Sequence, residues 1–209
     1  MSICYMKKSF TLIETIVAVF IIVVGLVAVI ALGIFSFSVS LLIKERATAT
    51  DLGREGLEVI RSIRDSNWLV LEENWDDWRQ GGCEEIQRCL ASDCYYVIDF
   101  DEDKGKPCLL LAQGNSIEDC TNCQLCLFEG KYRVCDRIGA QPTPKDIYYR
   151  LITIQKIALP TNCGVVFPCD CSPEEETKDN CREITSEILW RSRGVDRKIR
   201  LKTYLTNWR

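Results

Sequence analysis

Hydrophobic residues form three patterns along this chain of 209 residues, and each pattern predicts a different element. The first is a continuous apolar run from Phe10 to Ile43, in which Glu14 is the one ionisable residue. About 20 helical residues cross the hydrocarbon core of a bilayer, so the run can span a membrane with a turn or two left over. We therefore expect a membrane-spanning helix over residues 10–43.

The second pattern covers residues 44–66, is amphipathic and continues the same helix without a linker. We expect its apolar stripe to pack on a globular domain. The stripe contains Leu52, Val59, Ile60 and Ile63. Charged residues at helical spacing predict three ion pairs on the other face. These are Asp51 with Arg54, Arg54 with Glu58, and Arg61 with Asp65.

The third pattern is the alternation of apolar and polar residues that is typical of strands. It is clearest in the C-terminal third, over residues 146–159, 181–191 and 195–208, and a strand, a turn and a second strand are predicted over residues 95–111. The predicted fold class is α+β: a long N-terminal helix packed on an antiparallel sheet over residues 146–208. The head, residues 67–209, would also contain a disulfide-stapled, cysteine-rich insertion at 81–139 and a second cysteine-rich segment at 163–181.

The residues before the apolar run indicate its orientation. Met1 to Ser9 form a short segment that contains the basic pair Lys7 and Lys8. Because basic residues stay on the cytoplasmic side, we expect residues 1–9 inside and everything after Ile43 outside. The run is longer than the apolar region of about 7 to 15 residues in a secretory signal peptide, so a signal anchor is the simplest interpretation.

The residues KKSFTLIETIVAVFIIVVG resemble the N-terminal cleavage and methylation motif of type IV prepilins and pseudopilins. The resemblance implies that a prepilin peptidase cuts between Ser9 and Phe10 and methylates the new amino group of Phe10. It also implies that Glu14, the fifth mature residue, acts in assembly. The motif usually has Gly before the cut, where this chain has Ser9. The strand YYRLITIQ and the ending TYLTNW are also similar to pilin-like proteins.

A physical argument supports the same role for Glu14. Cleavage would create a cationic amine on Phe10, about one helical turn from Glu14. A carboxylate inside a membrane helix costs roughly 2 to 3 kcal/mol on insertion scales, so it needs a partner or a purpose. An ion pair with this amine, in one subunit or between two, would set the register between packed helices. The alternative is an interfacial carboxylate in an ordinary anchor.

Cysteine placement matters more than cysteine number. Of 13 cysteines, Cys4 lies in the leader, so its removal leaves an even number. In an exported domain the other twelve predict six disulfides in an oxidising compartment. The twelve are Cys83, Cys89, Cys94, Cys108, Cys120, Cys123, Cys126, Cys135, Cys163, Cys169, Cys171 and Cys181. The spacing from Cys120 to Cys135 also fits a metal site or a redox-active pair, although the chain has no histidine and no second paired C-x2-C. We predict disulfides, no metal and no cofactor.

Three further features have a functional and a structural interpretation. Trp68, Trp75 and Trp78 would form a stacking platform or close the end of the helix as core residues. The alternating Asp99, Asp101 and Asp103 match an EF-hand loop poorly, so a solvated hairpin turn is expected rather than a calcium site. On the last strand, Lys198, Arg200 and Lys202 face one side, opposite Ile199, Leu201 and Leu205. They would bind DNA unless Glu183 and Glu187 neutralise them.

Charge and composition limit the function classes. The net charge of -4 becomes -6 without Lys7 and Lys8, which does not favour a nucleic-acid partner. Without histidine the chain has no Ser-His or Cys-His catalytic pair, and it has no phosphate loop, so we predict no enzyme.

We predict a structural subunit, a minor pilin or pseudopilin. Its partners would be prepilin peptidase, other pilin subunits through the N-terminal helix, an inner-membrane platform protein and the membrane. It would reside in the cell membrane and then in an extracellular filament. A membrane-anchored receptor that never polymerises and a thiol oxidoreductase are the alternatives.

Overall fold

The computed structural model describes residues 11–69, 93–101, 106–140, 148–157 and 181–206. The chain divides into two compact units, Met1–Glu45 and Arg46–Arg209. One helix, α1, runs from Leu12 to Leu69 and is 58 residues long. The helix ends three residues beyond Ser66, its predicted end. A helix can serve two different environments in this way because all its backbone hydrogen bonds are made within the helix.

The second half of α1 buries one stripe against the sheet, as the amphipathic pattern predicts. The buried residues of α1 are Ala49, Leu52, Gly53, Gly56, Leu57, Val59, Ile60, Ile63 and Asn67. The predicted pair of Asp51 with Arg54 is present at 4.0 Å. The other two predicted pairs are wrong, because Glu58 pairs with Arg61 and Asp65 with Arg64. Arg61 also donates to Thr203 Oγ1 at 3.0 Å.

Within the described residues, seven antiparallel strands form the sheet. They are β1 (Asp93–Asp101), β2 (Lys106–Leu111), β3 (Gln124–Phe128), β4 (Lys131–Val134), β5 (Tyr148–Lys156), β6 (Cys181–Ser192) and β7 (Val195–Thr206). Their order is β2-β1-β5-β3-β4, and β6 and β7 continue from the other edge of β5. The α+β fold class is confirmed. The hairpin predicted over residues 95–111 is confirmed as β1 and β2. The sheet is larger than the predicted 146–208, because this hairpin and the strands β3 and β4 of the cysteine-rich segment join it.

One edge of β5 is shared between two strands. β1 pairs with β5 from Ile152 to Gln155, and β3 pairs with Tyr148 and Tyr149. Arg150 lies between these pairings, and its side chain is 1% exposed. The Arg150 guanidinium donates to the Ile98 carbonyl at 3.0 Å, and to the Leu52 carbonyl and Glu55 carboxylate of α1 at 3.3 and 2.8 Å. A buried cation thus joins both β1 and the helix to β5.

The helix approaches the sheet closely at Gly53 and Gly56. A Cβ atom added at Gly56 would lie 2.8 Å from Ile152 Cδ1 and 2.9 Å from Ser186 Oγ, and both of those residues are fully buried. At Gly53 the same atom would lie 2.8 Å from Leu201 Cδ1, which is only partly buried. The absence of a side chain at Gly56 therefore sets the distance between helix and sheet.

We predict that Gly56→Ala lowers the stability of the head. Overpacking a tight core costs about 1 to 3 kcal/mol, against roughly 1 kcal/mol gained from helix propensity. Thermal unfolding of the full chain in detergent, followed by tryptophan fluorescence, would measure the difference. Gly25→Ala is the matched control, because nothing lies within 4 Å of its added Cβ. An unchanged unfolding temperature for Gly56→Ala would contradict the close packing.

Candidate assembly helix and head surfaces

The first part of α1 exposes apolar side chains along its length. Leu12 is 78% exposed, Phe20 67% and Phe37 68%. Within the part of the chain that the structure describes, α1 is the helix that is long and apolar enough to cross a membrane. This agrees with the predicted membrane-spanning segment. Side chains of this kind are stable in lipid or against other apolar helices, and unfavourable in water.

Hydroxyl groups in this segment are bonded to the helix backbone. Thr15 Oγ1 donates to the Leu12 carbonyl at 2.8 Å, and Ser40 Oγ donates to the Ser36 carbonyl at 3.0 Å. These internal bonds lower the cost of placing polar side chains in an apolar medium.

Glu14 lies in the first turn of α1, where a negative charge interacts favourably with the helix dipole. Its backbone N–H donates to the Thr11 carbonyl at 3.1 Å. Among residues 11–69 and the other described ranges, no side chain donates to its carboxylate. The predicted cleavage residues Ser9 and Phe10 and the leader charges Lys7 and Lys8 lie outside the described residues. The predicted contact between the Phe10 amine and Glu14 therefore stays a prediction.

The hairpin carboxylate Asp99 is buried, and it does not lie in a solvated turn as predicted. Arg133 Nε donates to Asp99 Oδ1 at 3.3 Å, Arg137 Nε lies 3.2 Å from Oδ2, and the backbone N–H of Val134 also donates to Oδ1 at 3.3 Å. The prediction failed because two arginines from the β4 region bring their charges to β1. Asp99 thus fixes the β3–β4 hairpin to β1. The turn residues Glu102 to Gly105 lie outside the described residues.

Two disulfides stabilise the segment between β2 and β5. Cys120 bonds to Cys123 and Cys126 to Cys135, with Cα–Cα distances of 5.5 and 5.0 Å. All four sulfurs are therefore in disulfides, as predicted. The four residues are at most 6% exposed, which disfavours a redox-active pair. Cys94, Cys108 and Cys181 are disulfide-bonded as well. The other predicted disulfide cysteines, Cys83, Cys89, Cys163, Cys169 and Cys171, lie outside the described residues.

The basic side of β7 is neutralised by β6, as predicted. Lys202 pairs with Glu183, and Arg200 with Glu187. Lys198 lies 3.4 Å from Glu187 and 3.1 Å from Glu118. Since each of these cations has a carboxylate partner, the strand offers little charge for a phosphate backbone.

Trp68 packs partly buried against the core between helix and sheet, with the Arg64 guanidinium 5.2 Å from its ring centre. The core interpretation is thus confirmed for Trp68. Trp75 and Trp78 lie outside the described residues.

A crevice of about 570 Å³ opens beside Arg150, between α1 and strands β1, β2 and β4. Val59, Ile98 and Tyr132 contribute to its apolar surface. The charges around it have partners within the protein: Glu55 with Arg150, Glu58 with Arg61, and Lys131 over the Phe100 ring at 4.1 Å. Each of these charged groups is thus already in contact with another group of the protein.

The burial of Arg150 and the ion pairs of Asp99 were not predicted from the sequence. Arg150 alternates in phase with Tyr148, Ile152 and Ile154, which are all buried, so its position within YYRLITIQ was an available signal of a buried charge. No comparable signal marked Asp99, because its partners Arg133 and Arg137 are more than 30 residues away in the chain.

Comparisons of this chain with protein-family models, with curated proteins and with solved structures gave no match.

We predict that the head loses stability as the pH falls below about 4.5. The Lys202 side chain donates to Glu183 and lowers the pKa of this carboxyl from its ordinary value of 4.5. A carboxyl whose pKa is lower in the folded chain than in the unfolded chain stabilises the fold at pH values above its unfolded pKa. This stabilisation is lost as the pH falls through the folded pKa. Thermal unfolding measured across this pH range would show the decline, and it should be smaller in Lys202→Met. An equal pH dependence in the unchanged protein and in Lys202→Met would contradict the role of the Glu183–Lys202 pair.

Proposed function

We propose that this chain is a structural subunit, a minor pilin or pseudopilin, of a type IV pilus or type II secretion-like filament. The observation that carries the proposal is α1 itself. Its first part, from Leu12 to Ile43, exposes apolar side chains and contains a single acid, Glu14, while its second part belongs to a disulfide-bonded head. A filament built from packed apolar helices needs a subunit with these parts.

Maturation would begin with insertion of the apolar helix into the membrane. Prepilin peptidase then removes residues 1–9 at the bond between Ser9 and Phe10 and methylates Phe10. The resulting amine lies about one turn from Glu14, and one charge neutralises the other when a subunit enters the filament.

Partners and location follow from this arrangement. The N-terminus is cytoplasmic and the head is outside, in a compartment that permits disulfides. An inner-membrane platform protein and a separate ATPase drive extraction. The chain itself is not an enzyme, and nucleic acid is not a partner, since Glu183 and Glu187 neutralise the β7 cations.

A membrane-anchored binding module that never polymerises is a second candidate, and the crevice beside Arg150 favours it. The two candidates differ in the start of the mature chain. An anchor keeps residues 1–9, whereas a pilin loses them.

We predict that Glu14→Ala reduces incorporation into filaments by about 100-fold. Removing one partner of a buried ion pair costs about 3 kcal/mol or more, because the remaining charge stays unpaired. Immunoblots of sheared filaments and of membranes from the native host would give the ratio.

Two control variants make this measurement specific. Glu14→Gln keeps the shape without the charge and should fail like Glu14→Ala. Glu58→Ala removes a carboxylate of the same helix that is 66% exposed, so it should assemble normally. Normal assembly of Glu14→Ala would refute the role of this charge.

A further inference from the structure

The β6–β7 hairpin turn lies at the end of the head where α1 enters, which we call the entry end. Ala49, near the start of the head part of α1, shares a core cluster with Trp190 of β6. Ile60, three turns further along the helix, shares a cluster with Ile184. The contacts of α1 thus move away from the hairpin turn as the helix proceeds. The turn that joins β6 to β7 therefore lies at the entry end.

Arginines predominate at the entry end. Arg46 begins the part of α1 that belongs to the head, and Arg193 and Arg197 lie in and just after the hairpin turn. In the described part of the chain no carboxylate pairs with the guanidinium of Arg46 or Arg197, and both residues are exposed. Asp196, the acid of this hairpin end, is already paired with Arg191 at 2.8 Å. The entry end therefore carries positive charge, unlike the neutralised cations further along β7.

The hairpin turn holds an arginine in a backbone conformation that favours other residues. Arg193 has a φ of 53° and Gly194 a φ of 78°. A two-residue turn with both φ values positive favours Asn-Gly or Asp-Gly, because other side chains are strained there. Strained residues of this kind cluster at functional sites. The next residue, Val195, is 56% exposed, so the turn presents a cation beside an exposed apolar side chain.

The apolar run brings the entry end to the membrane surface. Leu12 to Ile43 contains 32 residues, or about 48 Å of helix, whereas the hydrocarbon core is about 30 Å thick. Because apolar side chains are unfavourable in water, we expect the helix to tilt, and transmembrane helices tilt by up to about 40°. At this tilt the run spans about 37 Å, which fits within the roughly 40 to 45 Å of a bilayer with its headgroups. Arg46 follows Ile43 after Lys44 and Glu45, whose charges cancel, and it then lies at headgroup level.

We propose that the entry end of the head binds the phosphate groups of anionic phospholipids in the head-side leaflet of the membrane. A guanidinium donates two parallel hydrogen bonds to a phosphate, and each basic residue near an anionic leaflet strengthens binding about fivefold. The exposed Val195 side chain enters between the headgroups, where it leaves water. The inference rests on the membrane insertion and orientation of the proposed function, and not on cleavage or polymerisation.

Photo-crosslinking of the full chain in lipid vesicles tests this proposal. A photoreactive phenylalanine analogue at Val195 would be compared with the same analogue at Leu69, which is 86% exposed but lies at the far end of α1. The vesicles are phosphatidylcholine with a small fraction of phosphatidylglycerol. Position 195 should give phosphatidylglycerol adducts, detected by mass spectrometry, several-fold more abundant than from position 69. Lipid adducts from position 195 should fall several-fold in vesicles of phosphatidylcholine alone.

Charge variants separate lipid binding from folding, with the probe kept at position 195. Arg193→Asn should lower the adduct yield about fivefold while it preserves the turn, because Asn is favoured at this φ. Arg197→Gln should lower the yield by a similar factor. Arg54→Gln is the matched control, because it removes the same charge from a side chain of α1 that is 72% exposed and lies two turns beyond Arg46. It should leave the yield unchanged.

Four outcomes of these measurements would overturn the proposal. They are equal adducts from positions 195 and 69, equal adducts with and without phosphatidylglycerol, a product of twice the chain's mass in place of a lipid adduct, and an unchanged yield in Arg193→Asn. Stronger inhibition by inorganic phosphate than by chloride at equal ionic strength would also overturn it, because it would indicate a site for a free anion. A chain that gives lipid adducts but keeps residues 1–9 in its host would keep this inference and refute the proposed function. A processed chain that gives no adducts would do the reverse.

Discussion

One helix that must satisfy two environments is the constraint on which the rest of this protein depends. From Leu12 to Ile43, α1 presents apolar side chains that water does not tolerate, and from Arg46 to Leu69 it buries one stripe against a sheet. No loop separates the two parts, so the helix itself connects the apolar segment to the head.

The head is held to this helix by close packing and by buried charge. Gly56 lets the helix backbone approach Ile152 and Ser186, and Arg150 donates hydrogen bonds to both the helix and β1. Leaving a buried cation without its hydrogen-bond partners is costly, so the bonds of Arg150 fix one arrangement of the helix and the strands. Disulfides between neighbouring cysteines add stability in an oxidising compartment.

The sequence predicted those features that repeat with a regular period. These features include the apolar run and the buried stripe through Leu52 and Ile60. They also include the neutralisation of the β7 cations by Glu183 and Glu187. The hairpin of β1 and β2 was predicted from residues 95–111. The strands β3 and β4 and the pairing of β1 and β3 with β5 were not predicted, because strand pairing over long sequence separation leaves no periodic signal. The burial of Asp99 was not predicted for the same reason, since only the fold brings Arg133 and Arg137 to it.

The central claim is that this helix becomes a filament component through a new amine beside Glu14. Mass spectrometry of the protein purified from its native host tests it most directly. We expect a chain that begins with N-methylated Phe10 and lacks residues 1–9. A chain that still carries Met1 to Ser9 would contradict it and would indicate a permanent anchor.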